Sequence, residues 1–318
     1  MLKTADKSGS SSTARTESLK GSCSKKRNIG DNVGNLDTVA GAENGPEVTT
    51  AILLSTYNGE RYLCEQLNSL VEQTHKDLAV HIRDDGSTDG TLDIIRGYQA
   101  RFPDIFTLYV GANIGSSASF CWLLENIQAE VYFFCDQDDV WCLDKVEQHL
   151  ECYFDNGKPE LVFSDLEILS ADDSSVKRTL LGLEKKDPIY LIGSVTRLLC
   201  QNPVAGCAMS LNHAAKEKVF SLGQMPEKIV HDHWFAVVTA VYGTIYYLPE
   251  PLIQYRLHAA NQIGSQAFDF RYVAKKLINL RVTLMYDLRL MDGLPKVKRP
   301  MLLEYGMVKL ISNLRRLF

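Results

Sequence analysis

The sequence predicts an α/β protein built on an open, mostly parallel central sheet flanked by helices. Three observations carry that expectation. Apolar runs of strand length alternate with stretches of helical spacing between Thr49 and Cys135. Each strand-like run ends in a polar loop, on the side where such sheets bind ligands. Neither G-x-G-x-x-G after the first strand nor G-x-x-x-x-G-K-[ST] occurs, which argues against dinucleotide dehydrogenases and P-loop enzymes.

The elements follow in order. TTAILLS reads as a strand and TYNG as a turn. ERYLCEQLNSLVEQ carries Tyr62, Leu63, Leu67, Leu70 and Val71 at helical spacing. LAVHI is a second strand, running into Asp84 and Asp85. TLDIIRGYQARF is a second helix, FTLYV a third strand, SFCWLLENI a third helix and VYFFC a fourth strand. Strand–helix alternation of this kind builds parallel βαβ units. Beyond Glu160 it loosens. LVFSDLEIL and AGCAMSLN read as strands, HDHWFAVVTAVYG as a helix, and TIYYLPEPLIQYRLHAANQIG as a strand and loop. From Phe268 the chain is helical and basic, with Arg271, Lys275, Lys276, Arg281, Arg289, Lys309, Arg315 and Arg316.

Composition bounds the function classes. The 318 residues are 45% hydrophobic and 23% charged with net charge −5, so no basic excess points to nucleic acid. Eight scattered cysteines without a C-x-x-C pair read as reduced, mostly buried thiols of a cytosolic protein. No apolar run reaches the roughly 18 residues that span a bilayer. Residues 1–46, rich in Ser, Lys and Gly, read as a disordered tail.

The run VYFFCDQDDVW poses the main chemical question. A segment built for burial leads straight into Asp136, Asp138 and Asp139. Two carboxylates about 5 Å apart repel by roughly 3 kcal/mol at an effective dielectric near 20. A divalent cation, Mg²⁺ or Mn²⁺, offsets that most directly. The alternative is an acidic turn capping a helix that starts near Trp141. Residues alone leave both readings open. The loops Thr56-Tyr57-Asn58, Asp84–Asp89 and Asp136–Asp139 converge on one crevice in either case.

AILLSTYNGERYLCEQLNSLVEQT, IRDDGSTDGTLDII, NIGSSASFCWLL and CDQDDVW, in that order and spacing, resemble the family 2 glycosyltransferases, especially rhamnosyltransferase-like bacterial members. The resemblance covers roughly Thr49 to Gly264. It implies a GT-A fold, a Rossmann-like domain over 47–265. Residues 47–150 would form the nucleotide-sugar half and 151–265 the acceptor half, with 266–318 a basic helical extension. It implies inverting transfer from a nucleoside diphosphate sugar to a glycan or lipid-linked acceptor, in surface polysaccharide synthesis. A pyrimidine donor is expected, dTDP-rhamnose or a UDP-hexose.

The implied roles attach to particular residues. Tyr57 would pack on the base, with Thr56, Asn58 and Glu60 in the same loop. Asp84 would accept from the pyrimidine N3–H with Asp85 beside it. Asn113 and Gly115 would lie near the ribose and diphosphate. Ser119 stands where relatives often carry Asn, a departure at a structural position. Asp136 and Asp138 would hold the cation, with Asp136 also counted on the donor, and His258 would complete the metal or diphosphate site. Arg256 would balance phosphate charge. Asp232, in HDHWF, would be the base that takes the acceptor proton. Asp89 is expected as a helix cap and Trp141 as a packing residue. The basic C-terminal helices leave two readings: a peripheral position on the inner face of the membrane, or packing on the catalytic domain or on a second copy. Two rival functions are a haloacid-dehalogenase-type phosphatase, with Asp136 as nucleophile and Asp172 and Asp173 as a later acidic pair, and an inactive glycan-binding relative. The first places its D-x-D on the first strand, whereas three βα units precede it here.

Overall fold

The alternation in the sequence becomes alternation in the chain. In the computed structural model, which describes residues 49–154, 156–169, 175–176, 186–257 and 280–315, the first half runs β1 (Thr50–Thr56), α1 (Leu63–Val71), β2 (Leu78–Asp84), α2 (Thr91–Arg101), β3 (Phe106–Val110), α3 (Ser116–Asn126) and β4 (Val131–Cys135). It continues through β5 (Val140–Trp141), α4 (Lys145–Leu150), β6 (Glu160–Leu169), β7 (Ser175–Val176), α5 (Lys186–Ile192), α6 (Val195–Cys200), a 3₁₀ turn at Gly206–Ala208, β8 (Met209–Asn212), α7 (His213–Ser221), α8 (His231–Tyr242) and β9 (Thr244–Arg256). Two further helices follow, α9 (Leu280–Asp292) and α10 (Leu302–Arg315). His258, Asp172, Asp173 and the tail 1–46 lie outside the described residues.

The sheet order is β3-β2-β1-β4-β8-β6-β9-β5, with β7 paired to β6. β3, β2, β1 and β4 are mutually parallel. β8 is antiparallel to both β4 and β6, β9 is parallel to β6, and β5 is antiparallel to β9. The sheet is therefore mixed, parallel along β3-β2-β1-β4 and between β6 and β9, with β8 and β5 running against their neighbours. The physical consequence is local. Because β8 runs back from the end at which β4 exits, it sets the Gly206–Ala208 turn beside the acidic loop that follows Cys135.

Side chains of the central strands cover both faces. On β1, Ala51 and Leu53 enter one core while Ile52 and Leu54 enter the other; on β4, Tyr132 and Phe134 oppose Val131, Phe133 and Cys135. All five β4 residues are buried. Fully burying one such large apolar side chain is worth about 1.5–3 kcal/mol. A continuous apolar strand buried on both faces fixes the height at which Asp136 emerges.

One local expectation fails. Val140–Trp141 is a short strand against Ile253 and Gln254, and the next helix starts only at Lys145 with Asp144 at its cap. Asp136, Asp138 and Asp139 therefore cap no helix. Trp141 is buried against Phe133, as a packing residue. At the C-terminus, Leu290, Met291, Leu294 and Tyr305 enter the same core as α6 and α8, so the inner sides of α9 and α10 pack on the rest of the domain.

Candidate active site

Three loops leave neighbouring ends of β1, β2 and β4, and hydrogen bonds join them. The Gln137 side chain grips the backbone of Tyr57 twice: Tyr57 N–H donates to Oε1 at 2.9 Å and Nε2 donates to the Tyr57 carbonyl at 3.1 Å. Gly59 makes this approach possible, since a Cβ there would sit 2.3 Å from Gln137 Oε1. Sequence reading passed over Gln137, because glutamine in a loop carries no spacing signal. Tyr57 itself is 47% exposed, an open aromatic face at the mouth of the loops.

The Asp84 loop is internally saturated. Thr56 Oγ1 and Ser87 Oγ donate to Asp84 Oδ2 at 3.0 and 2.6 Å, and the N–H groups of Gly86 and Ser87 donate to Oδ1 at 3.1 and 2.8 Å. Asp84 is fully buried. Both oxygens are engaged by the protein, so the loop itself fixes where this carboxylate sits. Asp85 behaves alike. It pairs with Arg83, accepts from Ser119 Oγ at 2.7 Å, and accepts the N–H of Ile114 and Gly115 at 3.2 and 2.8 Å. Ser119 is thus part of the support for this loop. Gly115, at φ +83°, is the cap of α3, and Asn113 Oδ1 shares its N–H at 3.1 Å.

Asn58 and Glu60 serve the same framework. Asn58 sits at φ +48°, where its short amide side chain accepts from the Thr88 N–H at 2.9 Å. Glu60 accepts from the Gly90 N–H, and Asp89 accepts the Thr91 N–H and hydroxyl, so both satisfy the start of α2. Glu60 serves here as a helix-start acceptor. Arg256 ties further segments together. Its Nη2 bonds Glu65 at 2.5 Å, its Nε the Asp138 carbonyl at 3.2 Å, and its guanidinium lies 4.7 Å over the Tyr62 ring. Buried in those contacts, it locks the acidic loop to α1 and β9.

The acidic loop is the opposite case. Asp139 is fully buried; its Oδ1 accepts the Arg256 N–H at 3.2 Å, and its Oδ2 has no hydrogen-bond partner among the described residues. Burial, then Asp136 and Asp138, push its carboxyl well above the usual range. Burial, then Asp138 and Asp232, raise Asp136 to about 7. Asp232 is also raised to about 7 by burial, against backbone donors at His233 and Gly206. The charge of Asp232 thus acts on Asp136 directly, across α8 and β4. Asp232 lies in the first turn of α8, whose cap position is Val230.

Gly206 closes this side of the cleft. A Cβ there would stand 3.1 Å from His231 Nε2 and 3.7 Å from Asp232 Cβ. His231 packs among Phe120, Phe134 and Phe235, and burial lowers it to about 3. His233 binds the Leu198 carbonyl at 2.8 Å and is lowered to about 4 by burial. Both rings are neutral packing groups.

The donor set fits a cation. One ligand atom each from Asp136, Asp139 and Cys207 lies within 4.8 Å of the others, and the orphaned Asp139 oxygen is a group that a divalent ion satisfies. Hard Mg²⁺ or Mn²⁺ suits the carboxylates better than the thiol. Cys207, beside a burial-raised Asp139, is itself held well above the usual thiol range by burial. Sequence reading left Asp139 open between the cation and a helix cap, and gave no role to Cys207. Behind them Lys145 is fully buried, 4.5 Å over Trp141, and bonds His149 Nε2 at 3.3 Å. The other ring nitrogen of His149, Nδ1, lies 2.8 Å from Ser210 Oγ. Burial brings Lys145 down to about 7, and the nearby Asp139 charge opposes that shift. Among the seven described cysteines none forms a disulfide, and three are buried.

Comparison with known proteins adds to this geometry. Residues 51–163 match the model of the family described as Glycosyl transferase family 2. An uncharacterized glycosyltransferase of Nostoc sp. is 32% identical over 219 residues, 68% of this chain and 67% of that protein. The dTDP-rhamnosyl transferase RfbG of Shigella flexneri is 37% identical over 33% of this chain and 38% of its own length. The match to the putative teichuronic acid biosynthesis glycosyltransferase TuaG of Bacillus subtilis, 34% identical, also spans well under half of that protein, 40%. Among solved structures, the mannosyltransferase PcManGT from Pyrobaculum calidifontis, in complex with GDP-Man and Mn²⁺, aligns with TM-score 0.57 at 17% identity over 85% of this chain and 72% of that one. S. aureus TarS in complex with UDP-GlcNAc aligns with TM-score 0.51 at 18% identity over 77% and 71%. These two likenesses establish the GT-A fold.

Proposed function

The chain belongs to glycosyl transferase family 2, and on that premise we propose that it moves a sugar, with inversion, from a pyrimidine nucleoside diphosphate donor to a glycan or lipid-linked acceptor. The observation that carries this reading is the convergence of Asp136, Asp139 and Asp232 beside the exposed Tyr57, with one buried carboxylate oxygen left unpartnered. Membership of this family sets the phosphatase reading aside.

The residues divide the work. Tyr57 offers its ring face to the nucleotide base. Asn113 and Gly115 border the ribose and diphosphate. Asp136, Asp138 and Asp139 would hold a divalent cation, Mn²⁺ or Mg²⁺, and Cys207 lies within reach of the same point. When bound, such an ion neutralises charge on the departing diphosphate. Asp232 takes the proton of the acceptor hydroxyl as that oxygen attacks the anomeric carbon. Its burial suits the task, because a base raised to about 7 holds a proton better than an ordinary carboxylate does. Asp84 and Asp85 contribute by shaping the loops that carry Tyr57 and Gly115. The Mn²⁺ and GDP-Man of the Pyrobaculum protein and the dTDP-rhamnosyl name of the Shigella relative support a cation and a nucleotide-sugar donor of this kind.

The test is a donor screen. Purified protein is offered UDP-, dTDP- and GDP-sugars with and without Mn²⁺, and thermal protection and sugar release are both measured. Metal-dependent protection by a pyrimidine donor, with slow hydrolysis, is expected. Protection by GDP-sugars alone contradicts the donor assignment, and protection with no turnover on any acceptor favours the inactive glycan-binding relative.

A further inference from the structure

The last described helix is built with its polarity reversed. On α10, Leu302, Leu303, Met307, Leu310 and Ile311, with Met301 just before it, are between 45% and 75% exposed. At 100° per residue the five helical positions, together with Gly306, sweep one continuous half of its circumference. The inward side, besides the core contacts of Tyr305 and Val308, is held by polar bonds. Buried Lys309 pairs with Asp287 and donates to the Cys200 carbonyl at 3.3 Å, Tyr305 OH donates to Asp287 at 2.5 Å, and Thr196 donates to Glu304 at 2.8 Å. An ordinary surface helix turns its apolar stripe inward. Here polar bonds already hold the inner side, and an apolar face of this size is left over.

Charge selects the occupant. From Lys296 to Phe318 the sequence carries, besides the inward Lys309 and the Asp292-paired Arg299, four basic residues and one acidic, Glu304, in a chain whose net charge is −5. Lys296 and Lys298, just before the helix, are exposed. In a two-fold pairing of copies each partner brings the same basic rim to the contact, and like charges oppose it. An anionic surface is attracted instead. No helix among the described residues is long and apolar enough to cross a membrane, so α10 would lie along such a surface. We propose that the outer face of α10 docks the protein on anionic lipid bilayers, the apolar row entering the headgroup boundary and the exposed Lys296 and Lys298 beside it facing lipid phosphates. This inference stands apart from the sugar-transfer reading, because none of its residues belongs to the acidic site.

Co-sedimentation of the full chain with vesicles tests it. Phosphatidylglycerol–phosphatidylcholine vesicles should pellet the protein at low salt, and pure phosphatidylcholine vesicles should not. Leu303→Glu with Met307→Glu should weaken pelleting by about tenfold or more. The milder Met307→Gln should weaken it less, and thermal unfolding of that variant should match the parent. The proposal is overturned if the parent stays in the supernatant with anionic vesicles, or if the double variant pellets as well as the parent. It is equally overturned if sedimentation equilibrium reveals a dimer that the double variant abolishes while vesicle binding is absent, which assigns the face to a second copy.

Discussion

The DDGSTD loop and the DQDD loop read alike on paper and differ completely in space. Asp84 receives two N–H and two O–H groups, and Asp85 is paired and bonded from three further sides. Asp139 receives the Arg256 N–H and the Cys207 thiol but keeps one orphaned oxygen, and Asp136 faces Asp138 and Asp232. A carboxylate already surrounded by protein donors is a structural part. A buried carboxylate short of donors is held ready for something the chain does not itself supply. The two loops are joined through the β1 loop, where Asn58 bonds Ser87 and Thr88 and Tyr57 bonds Gln137, so the rigid one positions the needy one.

The largest effect should come from the needy side. Asp232→Asn should lower the transfer rate about 10²–10⁴-fold while donor-induced thermal protection survives. Full transfer by this variant would remove Asp232 from the role of base. Next comes the rigid side. Asp84→Ala strands the donors at Thr56, Gly86 and Ser87, and urea unfolding should show a loss of about 3 kcal/mol. An unchanged midpoint would mean that water replaces the carboxylate and the contrast between the loops is false. Asp139→Asn should act in the opposite direction, leaving the metal-free protein as stable or more stable by about 1 kcal/mol, because a buried charge with few partners is costly. Destabilisation as large as that of Asp84→Ala would erase the distinction.

The smallest effect is in the pH profile. Asp136 and Asp232 rise from 3.8 to about 7 in the folded state, chiefly through burial. Between those values the folded protein holds protons that the unfolded chain has released. Stability of the metal-free protein should therefore fall as pH climbs from 4 toward 7. Transfer should move the other way, since Asp232 accepts a proton only after losing its own. Stability measured without metal in Asp136→Asn should show a shallower pH slope than the parent.

Much of the architecture was legible because it rests on local signals. The strand-length runs and helical spacings between Thr50 and Cys135 depend on near neighbours in sequence, and the observed elements follow them. Val140–Trp141 was misread because a two-residue strand has no period, and its partner on β9 is more than a hundred residues away. The mixed half of the sheet was hidden for the same reason. Within the site, the four aspartates were visible as types and positions. Their hydrogen-bond satisfaction was not, since Asp84 and Asp139 differ only in what the tertiary fold brings to them. The contacts that hold Arg256 were also hidden, because its partners, Glu65 and the Asp138 carbonyl, come from distant segments. On α10 the periodicity was plain, but which side faces outward is a property of packing.

The direct test of the central claim, that the under-satisfied loop waits for a cation, is a calorimetric titration of Mn²⁺ in the presence of UDP. The parent protein should bind the metal, and Asp136→Asn should bind it about tenfold more weakly or worse. Equal Mn²⁺ affinity in parent and variant, or no Mn²⁺ binding by the parent at all, contradicts the account.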